Sequence, residues 1–217
     1  MTSHPRTTPA LTDRAVGALV GTAAGDALGA GYEFGPPLPD DAPVDMIGGG
    51  GFGWAPGEWT DDTSMAVPIV RAAARGADLR DPSTHDVIVA AWIDWARTAP
   101  DVGVQTRSVL SAAGALGGDA AAAVKAARQL HERSGRSGGN GSLMRTAPVA
   151  LAHLGDPGAI ADAARAISGL THYDEDAGDA CVIWSVAIGH AIVTGSLSID
   201  VAIDALPAER RDRWAAL

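Results

Sequence analysis

Small residues at helical spacing restrict the fold of this chain more than any other feature. Gly17, Gly21, Gly25 and Gly29 fall four residues apart, so a helix would carry them on one stripe. Each glycine weakens a helix by up to about 1 kcal/mol, so four in one segment need a packing reason. Asp26 interrupts the apolar run, which favours close packing inside a soluble bundle over dimerisation in a membrane. Alanine and glycine dominate elsewhere, and aromatics make up only 5% of the chain. That composition lets helices approach closely. It does not suit a β-sandwich, which alternates Val, Ile, Thr and aromatic residues. No alternating stretch of useful length occurs, and the expected fold is all-α.

Capping and breaking residues divide the chain. Residues 1–12 read as a flexible N-terminal tail: they are polar, carry prolines and lack an apolar signal-peptide core. Residues 13–217 are expected to form a single domain. A first helix is predicted from about Asp13 into the low thirties, capped by Thr12 or Asp13. Proline-rich and glycine-rich loops follow, at Pro36–Pro43 and Gly48–Gly51. A second helix should start at Thr60–Thr63 and kink or break at Pro68. Ser83–Thr98 reads as a helix presenting Val87, Ile88, Ala91, Trp92 and Trp95 on one face. Further helices are predicted at Gln105–Leu116, Asp119–Arg133, Ser142–Leu154, Pro157–Ser168 and Asp176–Val193, the last capped by Asp176. Two short helices should follow from Ser198, with Pro207 at the first position of the second.

Charge narrows the partners. Sixteen basic and 26 acidic residues give a net charge of −10. Such a chain repels phosphate backbones and is not a general nucleic-acid binder. Its acidic clusters suit divalent cations instead. Cys181 is the single cysteine, which excludes an intrachain disulfide and fits a reducing, cytoplasmic setting. No run of about 18 apolar residues is present, so no membrane partner is expected. The sequence carries no signal of a particular oligomeric state.

Five short segments carry chemistry, and each has an ordinary alternative. Thr60-Asp61-Asp62-Thr63 offers hard oxygen ligands of the kind Mg²⁺ prefers, or simply a helix cap with favourable charges. Asp26 and Glu33 lie seven residues apart and share a face if the helix continues. An acid in an apolar stripe needs a partner or a metal. Gly138-Gly139-Asn140-Gly141-Ser142 could present free N–H groups to a phosphate, or be a tight turn. It is neither a Walker loop nor a Rossmann turn. Thr171-His172 could bind a ligand or start a helix. Asp101, before a helix, could act as a base or a cap.

Taken in order, the five segments resemble the ADP-ribosylglycohydrolases. The family's Gly-Asp-Ala-Leu-Gly, followed by a Glu, is similar to Gly25–Gly29 and Glu33. Its Trp-Thr-Asp-Asp-Thr matches Trp59–Thr63, and its Asp-Ile-Gly matches Asp101–Gly103 with Val for Ile. Its Gly-Gly-Asn-Gly-Ser/Ala-x-Met-Arg resembles Gly138–Arg145, and its Thr-His falls at Thr171. The resemblance implies a compact orthogonal helical bundle and a metal-dependent hydrolase that removes ADP-ribose from a modified target. Two Mg²⁺ ions, or Mn²⁺ in their place, are the implied cofactors, and ADP-ribose or an ADP-ribosylated substrate is the implied partner. Thr60, Asp61 and Asp62 would hold metal, and Glu33 and Asp101 would be the catalytic carboxylates. Gly139, Asn140, Gly141 and Ser142 would cradle the diphosphate, and His172 would touch the ADP-ribose. The family's second acidic motif, Gly-Asp-Thr-Asp-Thr, finds no match between Asp176 and Leu217. The expectation is therefore a chain truncated at its C-terminus, or one that has lost half the metal site. The alternative function is a catalytically impaired ADP-ribose-binding or structural homologue.

Overall fold

A computed structural model describes residues 7–217. Residues 1–6 of the expected tail lie outside the described residues. The described residues form ten α-helices and two 3₁₀ turns, with one isolated β-bridge, Gly49 to Trp54. Helix α1 spans Pro9–Gly29, so the tail does not extend to residue 12. Thr8, not Thr12 or Asp13, is the cap: its hydroxyl accepts from Leu11 N at 3.2 Å. Pro9 at the first turn lends its preset φ to the start.

The glycine stripe of α1 does not do what its spacing suggests. A Cβ at Gly17, Gly21, Gly25 or Gly29 would meet nothing within 4 Å, and Val16 and Val20 beside them are exposed. The stripe faces outward. The opposite side and C-terminal end of α1 meet the bundle, where Ala27 and Ala30 are buried. Arg14 anchors α1 from its side, donating through Nε to Ile192 O at 2.6 Å.

Helix α2, Asp61–Ala74, is not broken at Pro68 but continues for another six residues. Met65, Ile69 and Ala72 are buried on both sides of the proline. Their packing offsets the roughly 3 kcal/mol that an internal proline costs. Helix α3, Pro82–Trp95, buries Thr84, His85, Ile88, Val89 and Trp92, while Val87 is exposed. Its inward face is therefore rotated from the predicted one. His85 Nε2 bonds Leu79 O at 2.7 Å, which lets a polar ring occupy that face. Helices α4, Val104–Ala115, and α5, Ala120–Ser134, pair with each other and against α3. Asp119 caps α5 by accepting from Ala122 N at 2.7 Å.

The predicted Ser142–Leu154 helix is split. A 3₁₀ turn, Leu143–Arg145, precedes α6, Ala147–Ala152. Helix α7, Pro157–Gly169, lies along α8, Glu175–Thr194. Asp174, not Asp176, caps α8, accepting from Asp176 N at 3.0 Å. Helix α8 is long and apolar enough to cross a membrane by length and composition, a feature missed by a search for an unbroken apolar run. It is the central core helix, packed by α1, α6, α7 and α9 (Ile199–Ile203). Helix α10, Ala208–Ala215, starts after Pro207, which is its cap rather than its first residue. Arg210 and Trp214 of α10 join Arg165 around the fully buried Asp179 carboxylate of α8. Three donors on one buried acid satisfy its charge and hold the tail helix down.

Trp92 sits where α2, α3 and the 3₁₀ turn meet. It is fully buried, donates Nε1–H to Met65 O at 2.8 Å and stacks under Arg145. Trp92→Ala should cost about 3–5 kcal/mol, read as a lower urea midpoint. A cost below about 1 kcal/mol would mean the site collapses freely around the lost ring.

Candidate functional site

The site is built around the start of α2. Four N–H groups there lack helical partners, and the sequence offers Thr60 as their cap. Thr60 makes no side-chain capping bond. Asp26, from α1, takes that role across 34 residues. Its carboxylate accepts from Thr60 N at 3.0 Å and from Thr63 N at 2.9 Å. It also accepts the Thr60 hydroxyl proton at 2.6 Å. Asp26 thus has the partner that a carboxylate on an apolar helix requires. The bond also leaves the Thr60 hydroxyl lone pairs unused by the cap.

Because Asp26 does the capping, Asp61 and Asp62 turn toward a cleft of about 440 Å³. Glu33, Asp101, Gly139, Asn140, Gly141 and His172 line the same cleft. Burial raises the Asp61 carboxyl to about 6, helped by Asp101, Glu33 and Asp26. Burial raises Asp62 to about 7, with Asp26 and Asp61 the main repelling charges. Glu33 is pushed up by burial, then by Asp26 and Asp101. Asp101 is also raised by burial, against the pull of backbone N–H groups at Asp101 and Asp61. Carboxylates that disfavour one another's charge in a concave site mark a place where a cation would relieve them. Their oxygens are hard donors of the kind Mg²⁺ prefers, whereas Thr60, 1% exposed and bonded to Asp26, is not among the residues that line this cleft. Among the described residues, no three His, Cys, Asp or Glu side chains are already gathered into a ready-made shell. An ion that keeps several waters does not need one.

The facing wall is the glycine loop. The structure brings Gly139, Asn140 and Gly141 to the cleft. Ser142 is not among the lining residues. Its side chain is fully buried, where its Oγ accepts from Ser168 Oγ at 2.9 Å and Cys181 Sγ at 3.5 Å. The split helix explains this: the 3₁₀ turn swings Ser142 inward, and no long helix opens at the loop. A Cβ on Gly141 would lie 3.1–3.3 Å from the His172 ring and Thr106 Oγ1, so glycine lets the loop close over the histidine. His172 is 3% exposed, and burial followed by the Arg145 charge lowers its pKa to about 3. The ring is neutral.

Some residues of the site carry no assigned role in the sequence. Gln105 Nε2 donates to Ser137 O at 3.0 Å and Thr171 O at 3.2 Å, tying the loop to the His172 segment. Phe34, at a left-handed φ of +61°, meets Phe52 edge to face at 6.3 Å along the cleft. The positive φ was not readable from sequence. Gln105 lies in the segment Asp101–Arg107, and a long amide in the first turn of a helix was the signal for its role.

Comparison with known proteins settles the family. The ADP-ribosylglycohydrolase family model matches residues 7–217. The chain belongs to the ADP-ribosylglycohydrolase family. Within it, the ADP-ribosylarginine hydrolase Tri1 of Pseudomonas putida (strain GB-1) is 35% identical over 153 residues, covering 64% of this chain and 36% of that protein. The ADP-ribosyl-[dinitrogen reductase] glycohydrolase of Rhodospirillum rubrum is 32% identical over 199 residues, covering 86% and 60%. A solved ADP-ribosylglycohydrolase-related protein complex superposes with a TM-score of 0.61 at 30% identity, covering 85% of this chain and 58% of that one. This chain therefore spans between about a third and three fifths of these relatives' length. The helical bundle is the family's fold.

The raised acids make the cation-free fold sensitive to pH. Asp61 and Asp62 start from 3.8 in an unfolded chain and rise to about 6 and 7 in the fold, so ionising them disfavours the fold. The penalty is absent below about pH 4, grows through the intervening window and is complete above about pH 8. Asp62→Asn should raise the melting temperature of chelated protein above about pH 8 by a few degrees, or about 1–2 kcal/mol after solvent screening. The gain should vanish below about pH 4. An equal gain at both pH values would contradict the electrostatic account.

Proposed function

We propose that this chain forms the catalytic cleft of a metal-dependent ADP-ribosylhydrolase, which cleaves the glycosidic bond between ADP-ribose and a modified side chain. One observation carries the reading: four mutually repelling carboxylates face a glycine loop and a neutral histidine across one cleft. The acid wall suits a cation, and the loop wall suits a diphosphate. The named activities of the relatives support the reaction class, and ADP-ribosylarginine is the first substrate to test.

Thr60, Asp61 and Asp62 would hold the ion, Mg²⁺ or in its place Mn²⁺. A bound cation supplies Lewis-acid polarisation of a ribose hydroxyl or water and offsets the charge of the acids. The chain's own groups do the rest. Backbone N–H groups around Gly139–Gly141 receive the diphosphate, and the His172 ring donates to the ligand beside them. Asp101 takes a proton from the attacking water as the bond to the anomeric carbon breaks through an oxocarbenium-like transition state. Burial raises its pKa and so makes the carboxylate a stronger base than an exposed one. Glu33, more exposed, guards the mouth of the cleft.

Two measurements test this. Release of ADP-ribose from an ADP-ribosylarginine peptide should need Mg²⁺ or Mn²⁺ and should fall by roughly 10²–10⁴-fold in Asp101→Asn. Calorimetric binding of ADP-ribose should change only a few-fold in that variant. Turnover unchanged in excess chelator would overturn the metal-dependent reading. Binding without turnover under any ion would leave an ADP-ribose-binding domain rather than a hydrolase.

A further inference from the structure

Among the described residues, Arg145 is the largest fully buried charged side chain, and the reaction does not use it. Its side chain is fully buried, and among the described residues no carboxylate pairs with it. A buried guanidinium is costly without compensation. Here the compensation is a set of acceptors on the loop and on the segment leading to His172. Nη1 donates to Gly141 O at 3.2 Å and approaches Met65 Sδ at 3.8 Å. Nη2 donates to Ile167 O at 3.1 Å and to Thr171 Oγ1 at 2.7 Å. The guanidinium carbon sits 4.0 Å from the centre of the Trp92 ring, a cation–π contact in a dry site. One planar group thus holds both segments that carry cleft residues.

The Thr171 hydroxyl makes the arrangement directional. It has two partners, Arg145 Nη2 at 2.7 Å and His172 Nδ1 at 2.8 Å. Arginine can only donate, so Thr171 Oγ1 accepts from it. Thr171 is fully buried, and its single hydroxyl proton has one acceptor among the described residues, His172 Nδ1. A ring nitrogen that accepts carries no proton, and in a neutral imidazole the proton then resides on the other nitrogen. His172 Nε2 faces the glycine loop, 3.2 Å from where a Cβ on Gly141 would stand and 3.7 Å from one on Gly139. It takes no protein partner among the described residues.

We propose that Arg145 is a positioning residue that acts through Thr171 to lock His172 in the Nε2–H tautomer, so the ring presents a donor and never an acceptor to the ligand on the glycine loop. The selectivity is for an anionic or carbonyl oxygen at that point. The identity of the ligand rests on the ADP-ribose reading above, but the tautomer does not, and the two are tested separately.

Histidine labelled with ¹⁵N in the full chain reports the tautomer directly. Long-range proton–nitrogen correlation should show a pyrrole-type Nε2 and a pyridine-type Nδ1 for His172 without any ligand. The opposite pattern in the wild-type chain overturns the proposal and needs no variant. Thr171→Val should convert the ring to a mixture of tautomers and weaken ADP-ribose by roughly 3- to 10-fold, the worth of one oriented hydrogen bond. Thr171→Ser, which keeps the hydroxyl, should restore both. Arg145→Lys keeps the charge without the fork and should give the Thr171→Val mixture; a folded Arg145→Lys chain with the wild-type tautomer would remove Arg145 from the relay. If wild-type His172 shows the expected tautomer and ADP-ribose does not bind, the relay stands and the ligand reading falls.

Discussion

The site depends on a carboxylate from one helix capping another. Asp26 accepts two backbone N–H groups and the Thr60 hydroxyl proton at the start of α2. A helix start with two acids in its first turn would ordinarily use them against its own N–H groups. Asp26 removes that need. Asp61 and Asp62 are left to crowd a cleft with Glu33 and Asp101, where burial and mutual repulsion raise all four. The fold therefore holds an unfavourable charge arrangement in place, as sites built for function commonly do.

Arg145 is the counterpart on the other wall. It gives the glycine loop and the Thr171 segment a common support, and its charge acts on the His172 ring while no carboxylate among the described residues forms an ion pair with it. The cleft thus joins crowded carboxylates to a glycine loop and a histidine held by a buried cation.

Much of the bundle was legible because its boundaries rest on local chemistry. Asp119 before α5 and the paired glycines after α4 mark ends by capping rules that act within one turn. Errors arose where a distant contact outranks a local rule. Pro68 does not break α2 because the core grips that helix on both sides. The α1 glycines sit at close-packing spacing, yet face outward among the described residues. Spacing says which residues share a face, not which way the face points. The acidic and glycine motifs were legible as a family pattern, and the structure gathers all but Ser142 and the buried Thr60 along one cleft. Asp26 meeting Thr60, and Arg145 meeting Thr171, join positions 34 and 26 residues apart. No periodicity encodes such pairs.

The central claim is that the acids freed by Asp26 hold a divalent cation. Crystals grown with Mn²⁺ and measured at a wavelength where manganese scatters anomalously test it without reference to any substrate. The account predicts an anomalous peak at Asp61 and Asp62, in the cleft that Asn140 also lines. A map with no peak there, and with Asp61 and Asp62 turned into open solvent, would contradict it.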